Sequence, residues 1–398
     1  MSVMTTDIRT LAEQVRGYML DMRHELHRFP ELSGEEYETS KRIRRELDAM
    51  GVEYVQVGDT TGILATIRGG KPGKTILLRA DMDALKVTEE ASVDFKSENE
   101  GVMHACGHDG HMAMLLASIK AMMSIREELC GTVKCLFQPS EENGLGAKWM
   151  MDANVMKGVD GVFSEHLWSG IPVGKISVDP GPRLSSCGFF EIHVKGKASH
   201  GAMPHEGIDA VVAASAIVMN LQTIVSRKTS PMRNSVITIG CMKAGTQRNI
   251  IAEDAVLEGT TRTYQADVRS KFEEQIRHIA ETTAETFDAT AELIYRDIVA
   301  PVINDPVCAE RAAKGVENIL SADAVYPFDP LTVAEDVSAY IDAAPEKGCM
   351  ALVGVGNPDI DAAWAHHNSK FKMDEEGIFN GLLLYLQYTM DWLEEHKG

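Results

Sequence analysis

The stretch KTILLRADMD, residues 74–83, decides the fold. Its first half is a short apolar run of the kind that forms a strand. Its second half places Arg79, Asp81 and Asp83 where that strand ends. In open α/β sheets the carboxyl ends of strands are where sites are built. Two acids there suit ligand orientation or metal binding; they also suit a turn with Asp as a helix cap.

Working outward, residues 8–29 show helical periodicity and stop at Pro30. Ser33 and Glu36 have the spacing of a capping box for a second helix that ends at Gly51. A strand follows at 62–68. Beyond the quoted stretch come a helix at about 109–127, a strand at 132–137, a helix near 145–151 and a strand at 161–166. Strands alternating with helices imply a mixed sheet covered by helices.

The middle of the chain reads differently: strand 187–195, helix 207–225, strands 234–242 and 255–263, helix 267–287, strand 291–296. This β-α-β-β-α-β order is that of a small ferredoxin-like domain. After Pro301 the α/β pattern resumes and ends in an amphipathic helix at 374–396. The fold class is therefore α/β in two domains. Residues 1–183 and 299–398 form one domain, interrupted by an inserted domain at 184–298.

A chain of 398 residues suits two domains. Lys and Arg number 39 against 59 Asp and Glu, a formal charge of −20. That surface repels phosphate backbones and anionic lipid, so neither nucleic acid nor a membrane is an expected partner. The N-terminus lacks a secretory pattern. No run approaches the roughly 18 apolar residues of a membrane span, and the richest, 378–388, is broken by Asn380 and Gly381. Seven cysteines without framework spacing fit a reducing cytoplasm.

Three further clusters accompany Asp81 and Asp83. The run His104-Ala105-Cys106-Gly107-His108-Asp109-Gly110-His111 holds three histidines, where composition gives about a quarter of one. Thiolate and imidazole suit zinc and similar metals, and Gly107 lets the loop bring Cys106 and His108 to one point. The same residues also read as a packed Cys and His with Asp109 capping the next helix. Glu141 and Glu142 follow strand 132–137. Neighbouring side chains in extended backbone point to opposite sides, so one carboxylate can bind metal while the other faces water; a solvated acidic loop is the plain alternative. Glu165-His166 closes the next strand, and His366-His367 is a distant candidate.

Four runs are ordered as in one family: RADMDAL at 79–85, MHACGHDGH at 103–111, FQPSEE at 137–142 and GKASHGAMPH at 196–205. Across nearly its whole length the sequence resembles the metal-dependent amidohydrolases related to aminoacylases and carboxypeptidase G. It is most similar to the subgroup of hippurate hydrolase, N-acetyl-diaminopimelate deacetylase and the indole-acetyl-amino-acid hydrolases. The resemblance implies that Cys106, His108, Glu142, His166 and His367 hold one or two divalent metals (Zn, Mn, Co or Ni), and that Glu141 is the general base. The family frame His-x-Pro-x-Phe falls on His367-Asn368-Ser369-Lys370-Phe371, which favours His367 over His366 and puts a serine where proline is usual. His200 matches a histidine that reaches the partner subunit's site, and Asn249 one near substrate. His205 and Arg262 are further substrate candidates, with a loop contact or a strand-surface charge as their plainer roles. Asp81 and Asp83 would fix the ligands from behind. The implied activity is hydrolysis of N-acyl amino acids by a homodimer, or larger homo-oligomer, joined through the inserted lid domain. A carboxypeptidase or dipeptidase, or a non-catalytic metal-binding protein, stands as the alternative.

Overall fold

The computed structural model describes residues 7–398. The chain divides into two compact units. One comprises the chain up to Gly181 with Ile303–Asp329 and Asp336–Gly398; the other comprises Pro182–Val302 with Pro330–Glu335.

The first unit is built on a seven-stranded mixed sheet. Its strand order is Glu53–Gln56, Ile63–Arg68, Cys130–Gln138, Lys71–Asp81, Gly161–Pro172, Gly348–Gly356 and Ile176–Ser177. The four strands from Cys130–Gln138 to Gly348–Gly356 run parallel, and antiparallel strands flank them. Ile76–Asp81 and all of Gly348–Gly356 are buried without alternation. That pattern requires cover on both faces. Helices Ile8–Arg28, His108–Ser124, Pro306–Ile319 and Glu375–Glu395 supply apolar cover.

The quoted strand ends where the sequence places it, and its two pairings stop at different points. Lys71–Asp81 pairs with Cys130–Gln138 as far as Asp81 opposite Gln138. On its other side it pairs with Gly161–Pro172 only as far as Arg79 opposite Ser164. Gly161–Pro172 is longer than expected and runs on beside Gly348–Gly356. Glu165 and His166 thus lie inside a strand rather than at its end, past the point where one neighbour has stopped. They face opposite ways. Glu165 is buried with both carboxylate oxygens unpartnered, and burial raises its pKa well above the usual carboxylate range. A Cβ at Gly381 would come within 2.7 Å of Glu165 Oε2, so this glycine inside the last helix makes room for it.

The capping box expected at Ser33 and Glu36 does not form. Ser33 Oγ donates instead to Asp83. Glu36 accepts from the N–H groups of Gly34 and Ser140 and from the Thr61 hydroxyl. Helix Tyr37–Met50 is capped by Glu31, whose carboxylate accepts from Glu38 N at 3.1 Å and Thr39 N at 2.8 Å. Its end at Gly51 is as read, with φ +67°. Asp109 caps nothing either, since Gly107 is the N-cap of helix His108–Ser124. Buried Asp109 accepts instead from Arg23 Nε and pairs with His27 Nδ1 at 2.9 Å. His27 Nε2 lies 3.2 Å from Glu89.

The second unit is a four-stranded antiparallel sheet in the order Ser235–Ala244, Asp254–Thr263, Cys187–Lys195, Thr290–Val299. Helices Ala210–Thr223 and Phe272–Glu285 cover one face over Phe190, Ile192, Val194, Leu257 and Leu293. The first of these helices continues to Lys228. Contrary to the reading of the sequence, the segment Ala210–Lys228 has the length and apolarity of a membrane span. One side of it, including Ala213, Ala214, Ile217 and Leu221, is buried on the sheet, and Val212 and Met219 are exposed.

Two stability outcomes follow from these contacts. Glu31→Ala leaves two first-turn N–H groups without their acceptor and should cost about 0.5–2 kcal/mol in denaturant unfolding. Burial opposes charge on His27, but the carboxylates of Asp109 and Glu89 outweigh it and hold its pKa above 6.5. The stability from this group is whole below pH 6.5 and is lost as pH rises through the raised pKa. The melting temperature of His27→Asn should lack that decline.

Candidate metal centre

The site begins with Asp83. Its carbonyl oxygen accepts from His108 Nδ1 at 2.8 Å. Its carboxylate accepts from Glu141 N and Glu142 N, both at 3.0 Å. One residue after the quoted strand therefore positions two of the other clusters. The turn before the glutamates is strained, with Ser140 at φ +56°. The Glu36 carboxylate holds it by accepting from Ser140 N at 2.9 Å.

Because a carbonyl can only accept, His108 carries its proton on Nδ1 and turns the Nε2 lone pair into the site. That Nε2 is buried without a hydrogen-bond partner, as is Glu142 Oε1, and the two lie 3.9 Å apart. His166 is fixed in the same way, with Nδ1 bonded to the Leu167 carbonyl at 2.8 Å and Nε2 3.7 Å from Cys106 Sγ. His367 Nε2 lies 3.5 Å from Glu142 Oε1. Donor atoms of Cys106, His108 and His166 fall within 4.8 Å of one another, as do those of Cys106, Glu142 and His367, and those of His108, Glu141 and Glu142. Cys106 belongs to two of these sets. Gly107, at φ +91°, gives the left-handed turn that separates Cys106 from His108.

The charge balance suits a cation. Burial opposes positive charge at His108, yet the carboxylates of Asp81, Glu142 and Asp83 outweigh that penalty and draw positive charge, a proton or a metal ion, to its Nε2. Orphaned buried acceptors, a thiol and two imidazoles with inward lone pairs make a donor set that fits a divalent metal of the zinc type.

His111 stands beside this set and has another task. Its Nδ1 bonds Asp81 Oδ1 at 2.6 Å, and its Nε2 accepts from Leu167 N at 2.9 Å. Asp81 is also bonded by Arg79, which Asp336 and Gln138 hold in turn. His366, the other half of the C-terminal pair, bonds the Leu167 carbonyl through Nε2 at 2.9 Å and stacks on Trp168. Burial holds its pKa down to about 3. The main-chain N–H and carbonyl of Leu167 thus serve three histidines. Reading the sequence did not reach Arg79, His111 or Asp336 in these roles. The third histidine of the quoted octad and the arginine preceding Asp81 were the visible signals.

In the second unit, His200 and Asn249 are neighbours. His200 pairs opposite Ile250, and Gly201 N donates to Asn249 O at 2.8 Å. His200 Nδ1 accepts from Ala202 N, leaving Nε2 as the donor. His205 lies in the exposed turn Pro204–Glu206. Arg262, one strand position from the buried Thr261 and Thr263, donates to Thr260 Oγ1 and the Thr261 carbonyl.

Known proteins are similar to this chain in sequence and fold. The model of peptidase family M20/M25/M40 matches residues 77–391. Thermostable carboxypeptidase 2 of Saccharolobus solfataricus is 37% identical over 94% of this chain and 95% of its own. N-acetylcysteine deacetylase of Bacillus subtilis is 37% identical over 90% of this chain and 93% of its own. The crystal structure of Bacillus subtilis YXEP, described as a dinuclear metal binding peptidase, superposes with a TM-score of 0.84 at 32% identity, covering 96% of this chain and 99% of that one. The non-catalytic alternative is thereby set aside. The chain is a metal-dependent hydrolase and belongs to peptidase family M20/M25/M40.

Proposed function

We propose that this enzyme hydrolyses the amide bond of N-acyl amino acids, with Cys106, His108, Glu142, His166 and His367 holding two divalent ions and Glu141 acting as general base. The observation that carries the reading is the convergence of these side chains on two overlapping donor sets, with Glu141 beside them. The likeness to a deacetylase supports the substrate class. A divalent cation held there supplies Lewis acidity, lowering the pKa of water to roughly 7 and polarising a carbonyl. Glu141 takes the proton of the attacking water and returns it to the leaving amine, and His200, through Nε2–H, stabilises the oxyanion. Asp81 and Asp83 keep the ligands in place, and Asn249, Arg262 and His205 contact substrate. A carboxypeptidase named among the relatives makes peptide cleavage the competing reading.

We infer further that the second unit is a lid and joins two chains, with His200 supplied to the partner's site. The support is exposed apolar surface on helix Ala210–Thr223, at Val211, Val212 and Met219, beside the edge strand Ser235–Ala244 with Val236 and Met242. Seven cysteines without a disulfide framework fit a reducing cytoplasm.

Activity on a panel of N-acyl amino acids should vanish with chelator and return with added metal. Stronger cleavage of dipeptides would favour the peptidase. Glu141→Gln should fold and hold metal but lose about 10²–10⁴ in kcat; wild-type turnover would refute the base assignment. Mixing Glu141→Gln with His200→Ala chains should recover activity through mixed dimers, whereas a site complete in one chain would show none.

A further inference from the structure

We propose that Glu90 is a positioning residue for His367, acting through Ser369 to hold the loop that carries this imidazole. The inference rests on the reading of Cys106, Glu142 and His367 as a metal site.

His367 differs from the other two imidazoles. His108 and His166 are buried, and each has Nδ1 tied to a main-chain carbonyl. The His367 side chain is 53% exposed, and among the described residues no hydrogen bond holds its ring. Its aim must come from the backbone, which stands at φ +65°, a conformation that non-glycine residues adopt only when their surroundings impose it. Two restraints impose it. His367 N donates to the Ala105 carbonyl at 2.8 Å, beside Cys106. Two residues on, Ser369 forms a reciprocal pair with Glu90. Glu90 N donates to Ser369 O at 2.7 Å, and Ser369 Oγ donates to Glu90 Oε2 at 2.7 Å.

Glu90 can serve as an anchor because its own segment is held. Glu89 binds His27 through Oε1 and accepts from Ser97 N through Oε2 at 2.7 Å. Phe95 stacks on His24 with ring centres 3.9 Å apart, under the Arg23 guanidinium. Asn99 Nδ2 donates to the Pro30 carbonyl. The segment between Leu85 and Met103 therefore forms a strap fastened to helix Ile8–Arg28, with Glu89 turned toward the helix and Glu90 toward the His367 loop. Where the family frame has proline, whose ring would fix φ, this chain has Ser369, whose hydroxyl supplies a tether.

The test uses full-length protein loaded with Co²⁺ and titrated with a chelator, following thiolate-to-cobalt and d–d absorption. Wild type should release two ions in distinguishable steps. Glu90→Ala should release one of them at roughly 10–100-fold lower chelator, with the other unmoved. Ser369→Ala should shift the same step in the same direction. Glu90→Gln, which keeps an acceptor oxygen for Ser369, should match wild type. Glu90 is exposed, and equal melting of the metal-free chains would confirm that the fold is intact. Superimposable curves for Glu90→Ala and wild type, or equal loosening of both ions, would overturn the proposal. A wild-type chain that binds a single Co²⁺ would refute the two-ion reading on which the proposal rests, and one that binds none would refute the metal reading itself.

Discussion

One aspartate holds the centre together. Asp83 uses its carbonyl for the His108 ring and its carboxylate for the two N–H groups at Glu141 and Glu142. These are charge-assisted or tautomer-fixing bonds in a buried setting, where each is worth more than at the surface. They bind three segments that are distant in sequence: the end of one strand, the start of a helix and the turn after a second strand. The remaining parts of the site are arranged around that junction.

The chain carries a large negative charge, and several of its acids are buried here. They are tolerated because each has a partner. Asp81 faces Arg79 and His111, and Asp109 faces Arg23 and His27. An unpaired buried carboxylate instead favours its neutral form, and burial accordingly raises the pKa of Glu165. At the site itself His108 Nε2 and Glu142 Oε1 are buried without a hydrogen-bond partner, 3.9 Å apart. A surplus of lone pairs in a buried pocket is what a cation completes.

The alternation of strands and helices was readable because hydrophobic period and turn residues are local. Strand Cys187–Lys195 and the closing helix fell almost where the pattern put them. Ser33 and Glu36 had capping spacing, but Asp83 and Ser140 offered tertiary partners that outcompeted it. Asp109 similarly preferred a buried pair with His27 to a cap. The span-like segment Ala210–Lys228 was missed because Ser215, Asn220 and Gln222 interrupt its apolar run. Cys106, His108, Glu141 and Glu142 were visible as chemistry. The parts played by Arg79, His111 and Asp336 depend on strand register, which composition does not reveal.

The main chain of Leu167 gives its N–H to His111 and its carbonyl oxygen to His166 and His366. All three imidazoles are anchored to a group that every amino acid except proline supplies in full. Side-chain variation at this position therefore leaves the anchor in place, and the neighbourhood of the centre is free to drift in shape around a fixed point of main chain.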